Sequence, residues 1–228
     1  MLVIIGANGR TGAAIVREAI ARKLPLRAVV RDDRDVRHLP EELDLQRLSY
    51  ADPTAPNALP AVLEGATQII SCIGPRTSGP GAIIYPGQAA EHIVQAGANA
   101  GAKAILHVSV MGAYRWAYTS LNRKAFYLEG GVRNCDAPWA ILRVSCYHDE
   151  VIEGHVIPPD GGRPSPFKNS SRYSPVSRAD AAKMILDYMQ VFLPGRAPCI
   201  GGPEVFTGPE LTELLREWTP KSANKKTT

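Results

Sequence analysis

The chain has 228 residues, 45% of them hydrophobic and 21% charged, with a formal net charge of +4. That length accommodates one large α/β domain or two small ones, and the composition is that of an ordinary soluble globular protein. So mild a positive balance suits an anionic small ligand and is too weak for a nucleic-acid surface. No run approaches the roughly 18 apolar residues of a membrane span. The opening MLVIIGANGR lacks the basic region and small-residue cleavage site of a signal peptide, so it reads as a buried first strand. Cys72, Cys135, Cys146 and Cys199 form no CxxC pair and have no histidine at zinc-ligand spacing. They predict reduced thiols in a reducing, cytoplasmic setting, with no metal centre.

In chain order, the β-branched run Leu2 to Ile5 predicts a strand closed by glycine, and apolar spacing over Thr11 to Arg22 predicts a helix. Strands follow at Leu26 to Val30 and, more weakly, Leu45 to Leu48, then a short helix at Asn57 to Leu63. Thr67 to Cys72 is a fourth strand, Gln88 to Ala100 an Ala-rich helix and Ala104 to Val108 a fifth strand. A helix at Leu121 to Arg133 precedes the strand Trp139 to Val144. This alternation demands crossovers, and hence a doubly wound parallel α/β sheet of the Rossmann type with helices on both faces. The Pro-, Gly- and Ser-rich stretch Tyr147 to Pro175 predicts loops and short strands flanking a ligand cleft. After it come a helix from Ser177 to about Val191, a strand Ala197 to Ile200 and a helix Gly208 to Trp218. Residues 1–218 are thus expected to form one domain, followed by a disordered polar tail.

The segment Gly6-Ala7-Asn8-Gly9-Arg10-Thr11-Gly12 carries the chemistry. It leaves the first strand and opens the first helix. Gly6 permits the tight turn, Gly9 lets backbone approach a pyrophosphate, and Gly12 lets the helix pack close to the sheet. The helix amino terminus then offers amides and a positive dipole end to phosphates, and Asn8 and Thr11 can tie the loop. An NAD site places Asp or Glu at the end of the second strand. Here Val29-Val30-Arg31 stands there, and Arg31 offers the planar donor fork that suits a 2′-phosphate, with Arg10 facing the same group. Asp32 and Asp33 fall past the expected strand end. The reading is therefore NADP(H).

Taken together, GANGRTG, AVVRD, the Asp52 position, ISCIG, HVSVMG, the helix bearing Lys124, WAILR, SPVSRADAA and GGPEVFTGPEL resemble the atypical short-chain dehydrogenase/reductases, in particular the NmrA-like and biliverdin-reductase-B-like (flavin reductase) proteins, from residue 1 to about 217. The resemblance implies that Gly6, Asn8, Gly9, Arg10, Thr11 and Gly12 hold the phosphates and Arg31 the 2′-phosphate. It puts Asp52 near the adenine, with Cys72, Ile73 and Gly74 along a ribose. Val108, Ser109 and Lys124 belong at the nicotinamide ribose, and Arg143, Val144 and Ser145 on its far side.

The broader superfamily places a tyrosine four residues before its lysine, whereas four residues before Lys124 is Ser120. Tyr114, Tyr118 and Tyr127 lack that spacing. Candidate groups for the reaction are then Ser109, as a hydrogen-bond partner of the substrate oxygen or a hydroxyl bonded locally, Lys124, and His148 as a proton donor or an exposed loop residue. His107 alternates with the strand and reads as packed. Trp116, Tyr118, Trp139 and Tyr147 fit either an aromatic pocket wall or core packing. Three functions follow: an NADPH-dependent oxidoreductase acting on a small carbonyl, enone or conjugated ring; a non-catalytic NADP-binding regulator; or an NADP-dependent isomerase or epimerase. The expected partner is a small molecule, and the expected state a monomer or homodimer.

Overall fold

The computed structural model describes residues 1–31, 35–48, 55–74, 84–117, 119–153, 156 and 172–218. Asp32, Asp33, Asp52, Tyr118 and the tail from 219 lie outside them. Chain contacts group the protein into two compact units. The first comprises Met1–Val144 with Arg178–Ile200, the second Ser145–Ser177 with the chain from Gly201.

The first unit is built on β1 (Leu2–Ile5), a run of four buried apolar residues, as a central strand covered on both faces requires. Around it lie β2 (Leu26–Val30), β3 (Asp44–Arg47), β4 (Gln68–Ser71), β5 (Ala104–Val110), β6 (Trp139–Val144) and a short strand Cys199–Ile200. Among the described residues these seven pair in parallel, in the order β3-β2-β1-β4-β5-β6 and then Cys199–Ile200. The polar β3, DLQR, takes one edge, where partly exposed side chains are tolerated. The expected doubly wound parallel sheet is therefore present, and its order reverses between β1 and β4, the point where Rossmann sheets open a ligand crevice.

Alternate residues point to opposite faces. Val3, Ile5, Val29, Ile69, Ile105 and Ile141 form a core with α2 (Ala55–Val62), α3 (Ile84–Asn99) and α4 (Ser120–Arg133). On the other face α1 (Arg10–Ala21) packs beside a helix at Arg178–Gln190, through buried Ile15, Val16 and Ala19 on the first and Ala181, Ala182 and Ile185 on the second. The seam between α3 and α4 is a backbone approach. A Cβ on Gly131 would run into the carbonyl of Gly87, whereas a Cβ on the neighbouring Gly130 would meet nothing within 4 Å.

In the second unit, α5 (His148–Ile152) precedes β7 (Arg172–Tyr173). After the strand Cys199–Ile200, here β8, β9 (Phe206–Thr207) pairs antiparallel with β7. The helix Arg178–Gln190 is α6, and α7 (Gly208–Trp218) closes the chain's described part. Val151, Leu211 and Leu215 form a small core with Cys146, Val156, Tyr173 and Phe206 packed on it. Thr207 and Glu210 form a reciprocal capping box, Glu210 Oε2 accepting from the Thr207 amide at 2.6 Å and Thr207 Oγ1 from the Glu210 amide at 3.3 Å. Two details differ from the sequence expectation. His148–Ile152 is helical where composition predicted loops and short strands: Asp149 and Glu150 in its first turn favour the helix amino end, and averaging over a Pro-rich stretch hides them. The helix α3 also starts at Ile84, ahead of the Ala-rich pattern.

The α3–α4 seam yields a paired test. Gly131→Ala is expected to destabilise the fold by roughly 1–3 kcal/mol through overpacking. Gly130→Ala, in the same helix but facing open space, is expected to stabilise it by about 0.5–1 kcal/mol through lost unfolded-state entropy. Urea unfolding of the two variants measures both; equal effects would contradict the close approach.

Candidate cofactor site

The glycine segment connects β1 to α1 as a compact bend. Gly6 adopts φ +81°, in the left-handed region. Its amide donates to the Val29 carbonyl at 2.9 Å, and a Cβ there would stand 3.1 Å from the Cys72 carbonyl group. The bend therefore lies against the end of β4, at the sheet's switch point. Gly12 meets the same bend from the helix side: a Cβ would collide with the main chain of Gly6 and lie 2.9 Å from the Ala7 Cα. Gly9 caps α1 in extended conformation, and its amide donates to Gly6 O at 3.0 Å. Gly9 is exposed, and a Cβ there would meet only Gly6 O, at 3.3 Å, so solvent-side groups can come down onto the main chain.

The first turn of α1 contains no acidic residue, and Gly9 brings no side-chain cap. That leaves a helix amino terminus dressed for an anion. The geometry thus fits a dinucleotide diphosphate: residues 6 and 12 must lack side chains for close main-chain contacts, and a bare Gly9 leaves the main chain open on the solvent side. Arg10 is exposed at the start of α1, and Arg31 is half-buried one residue past β2. Two further side chains reach the loop. His38 Nε2 lies 3.1 Å from the Asn8 carbonyl, and Arg178 Nη1 donates to Thr11 Oγ1 at 2.8 Å. The Cys72 amide donates to Ile5 O at 2.8 Å. Burial pushes the Cys72 thiol up to about 12, which makes it a poor nucleophile. Ile73 is buried, and Gly74 is exposed, with open space where a Cβ would be.

Farther along the sheet, Ser109 and Arg143 are register partners near the carboxyl ends of β5 and β6. Both turn toward Glu129 of α4, which is 0% exposed. Ser109 Oγ donates to it at 2.7 Å. Arg143 donates through Nε at 2.9 Å and Nη2 at 2.7 Å, and Arg133 Nη2 at 2.7 Å. Burial alone would raise the Glu129 carboxyl, but the bonds from Arg143 and Ser109, with Arg133 added, hold it below the ordinary glutamate value. The Ser109 hydrogen is therefore committed inward. Arg143 likewise turns its Nε and Nη2 toward Glu129. The next register pair inward, Ser71 and His107, shares this sheet face and is buried as well. His107 is packed, as its strand position predicts.

Lys124 is half-buried on α4, whose amino end is capped by Thr119 Oγ1 accepting from the Asn122 amide at 3.1 Å. The loop between β5 and α4 is pinned by Asn122 Nδ2 to the carbonyls of Met111 and Gly112 and by Arg123 to Ala117 O. It presents Tyr114 and Trp116 outward, Trp116 at 77% exposure with the Arg115 guanidinium 4.9 Å from its ring centroid. Val108 and Val144 lie at the same strand ends, half-buried and buried. Ser145 and His148 belong to the second unit, where Ser145 Oγ accepts from the Ser174 amide at 3.4 Å and His148 is exposed at the start of α5. Tyr147 is buried in that unit. Of the two readings of Trp139, the structure favours core packing: it begins β6 and packs on the core at the strand's amino end, opposite the carboxyl ends that make the cleft.

A model of the NAD(P)H-binding family matches residues 6–190. The chain belongs to that family. Among curated proteins it is similar to the photosystem II assembly factor Ycf39 of Trieres chinensis, at 25% identity over 97% of this chain and 70% of the relative. Among solved structures it is similar to the Citrobacter sp. triphenylmethane reductase complexed with NADP(H), at 18% identity, covering 95% of this chain and 75% of the other, with a TM-score of 0.71. It also resembles the UDP-glucose 4-epimerase of Thermus thermophilus in complex with NAD, at 15% identity, 95% and 82% coverage and a TM-score of 0.69. Those two likenesses are of fold. Within this NAD(P)H-binding family the matched region opens at Gly6 and so takes in the glycine bend from its first residue. No described helix is long and apolar enough to cross a membrane.

Burial, opposed in part by Glu129 and by a hydrogen bond to the Ser71 main chain, lowers the His107 imidazole to about 4. The unfolded chain titrates near the ordinary value of 6.5, so acid favours the unfolded state. The neutral residue's contribution is complete above that value and is lost as pH falls toward about 4, on the order of 3 kcal/mol at most. Melting temperatures of the wild type are expected to fall more steeply over this window than those of His107→Gln. Parallel curves would contradict a buried neutral imidazole.

Proposed function

We propose that the protein is an NADPH-dependent oxidoreductase of the atypical short-chain dehydrogenase/reductase kind, reducing a small carbonyl, enone or conjugated ring compound. The observation that carries this reading is the glycine bend at the switch point, with Gly6, Gly9 and Gly12 each clearing backbone and no acid in the first turn of α1. Membership of the NAD(P)H-binding family supports it.

NADPH, when bound, supplies the hydride. The chain's own residues do the rest. The main chain of residues 6–12 and the amino end of α1 bind the diphosphate. Arg31 binds the 2′-phosphate through its planar fork, and Arg10 adds a second cation. Cys72, Ile73 and Gly74 line a ribose through their main chain. Val108 and Lys124 hold the nicotinamide ribose, and Arg143 and Val144 back the ring. Because the Ser109 hydrogen points to Glu129, Ser109 offers a ligand its lone pairs and orients rather than protonates. The proton that completes the reduction then comes from solvent.

A second reading, an NADP-binding protein that regulates or assembles a partner without turnover, is favoured by that same inward commitment of Ser109. The absence of tyrosine at position 120 and the description of the Ycf39 relative as an assembly factor point the same way.

Loss of nicotinamide absorbance, followed with NADPH and a panel of quinones, flavins and enones, separates the two: turnover on one of these is expected, and tight NADPH binding with no turnover would establish the regulator instead. Arg31→Asp is expected to weaken NADPH by roughly 10-fold or more, the scale of one charge-assisted hydrogen bond, while NADH changes little. Equal weakening of both would sink the 2′-phosphate assignment.

A further inference from the structure

Among the described residues, buried side-chain oxygens and nitrogens are hydrogen-bonded with few exceptions, and two of the exceptions adjoin: Ser71 Oγ and His107 Nδ1. They belong to register partners on β4 and β5, so their side chains leave the same face of the sheet. Both residues are 2% exposed. The strand residues beside them on that face are isoleucines. Ile5 pairs with Ser71 and Ile141 with His107, and Ile69 and Ile105 precede the pair by one alternation. None of these offers a polar side-chain atom. The polar groups of the next alternation along β5 are already committed. Ser109 gives its hydrogen to Glu129. Each Glu129 oxygen receives two donors, Oε1 from Ser109 and Arg143, Oε2 from Arg133 and Arg143. Its carboxylate has no lone pair left for the Ser71 hydroxyl.

A neutral imidazole has one hydrogen to donate and one lone pair to fill. The hydrogen bond of His107 to the Ser71 main chain spends the hydrogen. Nδ1 is then an acceptor that needs a donor, while the Ser71 hydroxyl has a hydrogen to give. Buried groups of this kind are rarely left unsatisfied. A single molecule that accepts from Ser71 and donates to Nδ1 serves both. An anion would face the Nδ1 lone pair, and a cation would lose its hydration among isoleucines with no free carboxylate to offset it. We propose that Ser71 and His107 hold a buried water molecule between β4 and β5. Such waters are part of a fold and are costly to remove. This one completes the hydrogen bonding of both strands one residue before Cys72, whose carbonyl group stands against Gly6. It needs no dinucleotide to be bound.

Two measurements on the full chain test this. A crystal structure of the unmodified protein, grown without dinucleotide and at a resolution that shows ordered water, needs no variant to fold. It is expected to show a solvent peak within about 2.7–3.2 Å of both Ser71 Oγ and His107 Nδ1. A direct hydrogen bond between the two side chains, or no density between them, would overturn the proposal. In solution, oxygen-17 relaxation dispersion counts the waters that stay in a protein longer than it takes to tumble. Ser71→Val replaces the hydroxyl with methyl groups that occupy the water's place, and is expected to lower that count by one relative to the wild type. An unchanged count, in a variant whose circular dichroism matches that of the wild type, would reject the site.

Discussion

The structure depends on one close approach. The chain must turn from β1 into α1 while the carbonyl of Gly6 faces the Cα of Gly12, with the end of β4 on the other side. Any side chain at position 12 pushes α1 off the sheet, and any at position 6 both strains the turn and strikes Cys72. The apolar contacts of Ile15, Val16 and Ala19, and through them the seat of α6, follow from α1 lying where that bend puts it. The same bend leaves main-chain donors and a helix dipole open at the crevice between β1 and β4. Packing and ligand binding are thus two consequences of the same missing Cβ atoms.

A second constraint governs the other half of the sheet. A carboxylate with no solvent exposure is tolerable only if it is paired and fully hydrogen-bonded. Glu129 is met by Ser109, Arg143 and Arg133, which tie β5, β6 and α4 together near the strand ends. Removal of both arginines would leave that charge uncompensated in the core, which typically costs about 3–5 kcal/mol. The network also fixes the direction of one hydrogen bond with chemical meaning. Ser109 donates inward and is an acceptor for whatever lies outside.

The backbone plan was legible because it rests on local patterns. Buried β-branched runs, glycine at the strand end and strand–helix alternation name the sheet and its crevice. The partnerships between distant residues were not legible. Glu129 sits in a helix read for its Lys124, yet two signals for it were present: Arg133 follows at four residues, and Arg143 interrupts the otherwise apolar strand WAILRV, where a charge demands a buried partner. Arg178 carries no such signal, since only the pairing of α1 with α6 brings it to Thr11. The short helix α5 was hidden by the Pro- and Gly-rich composition around it. Trp139 was left open between a pocket wall and the core, because composition says that an aromatic is buried but not at which end of the strand it packs.

The central claim is that the bend at residues 6–12 holds the diphosphate of a bound NADP(H), with the 2′-phosphate at Arg31. A crystal structure of the protein grown with saturating NADP+ tests it most directly. The account predicts density for the diphosphate against the main chain of Gly9 and the amino end of α1, and for the extra phosphate within hydrogen-bond distance of Arg31. A dinucleotide bound elsewhere, or a crevice between β1 and β4 that stays empty at saturation, would contradict it.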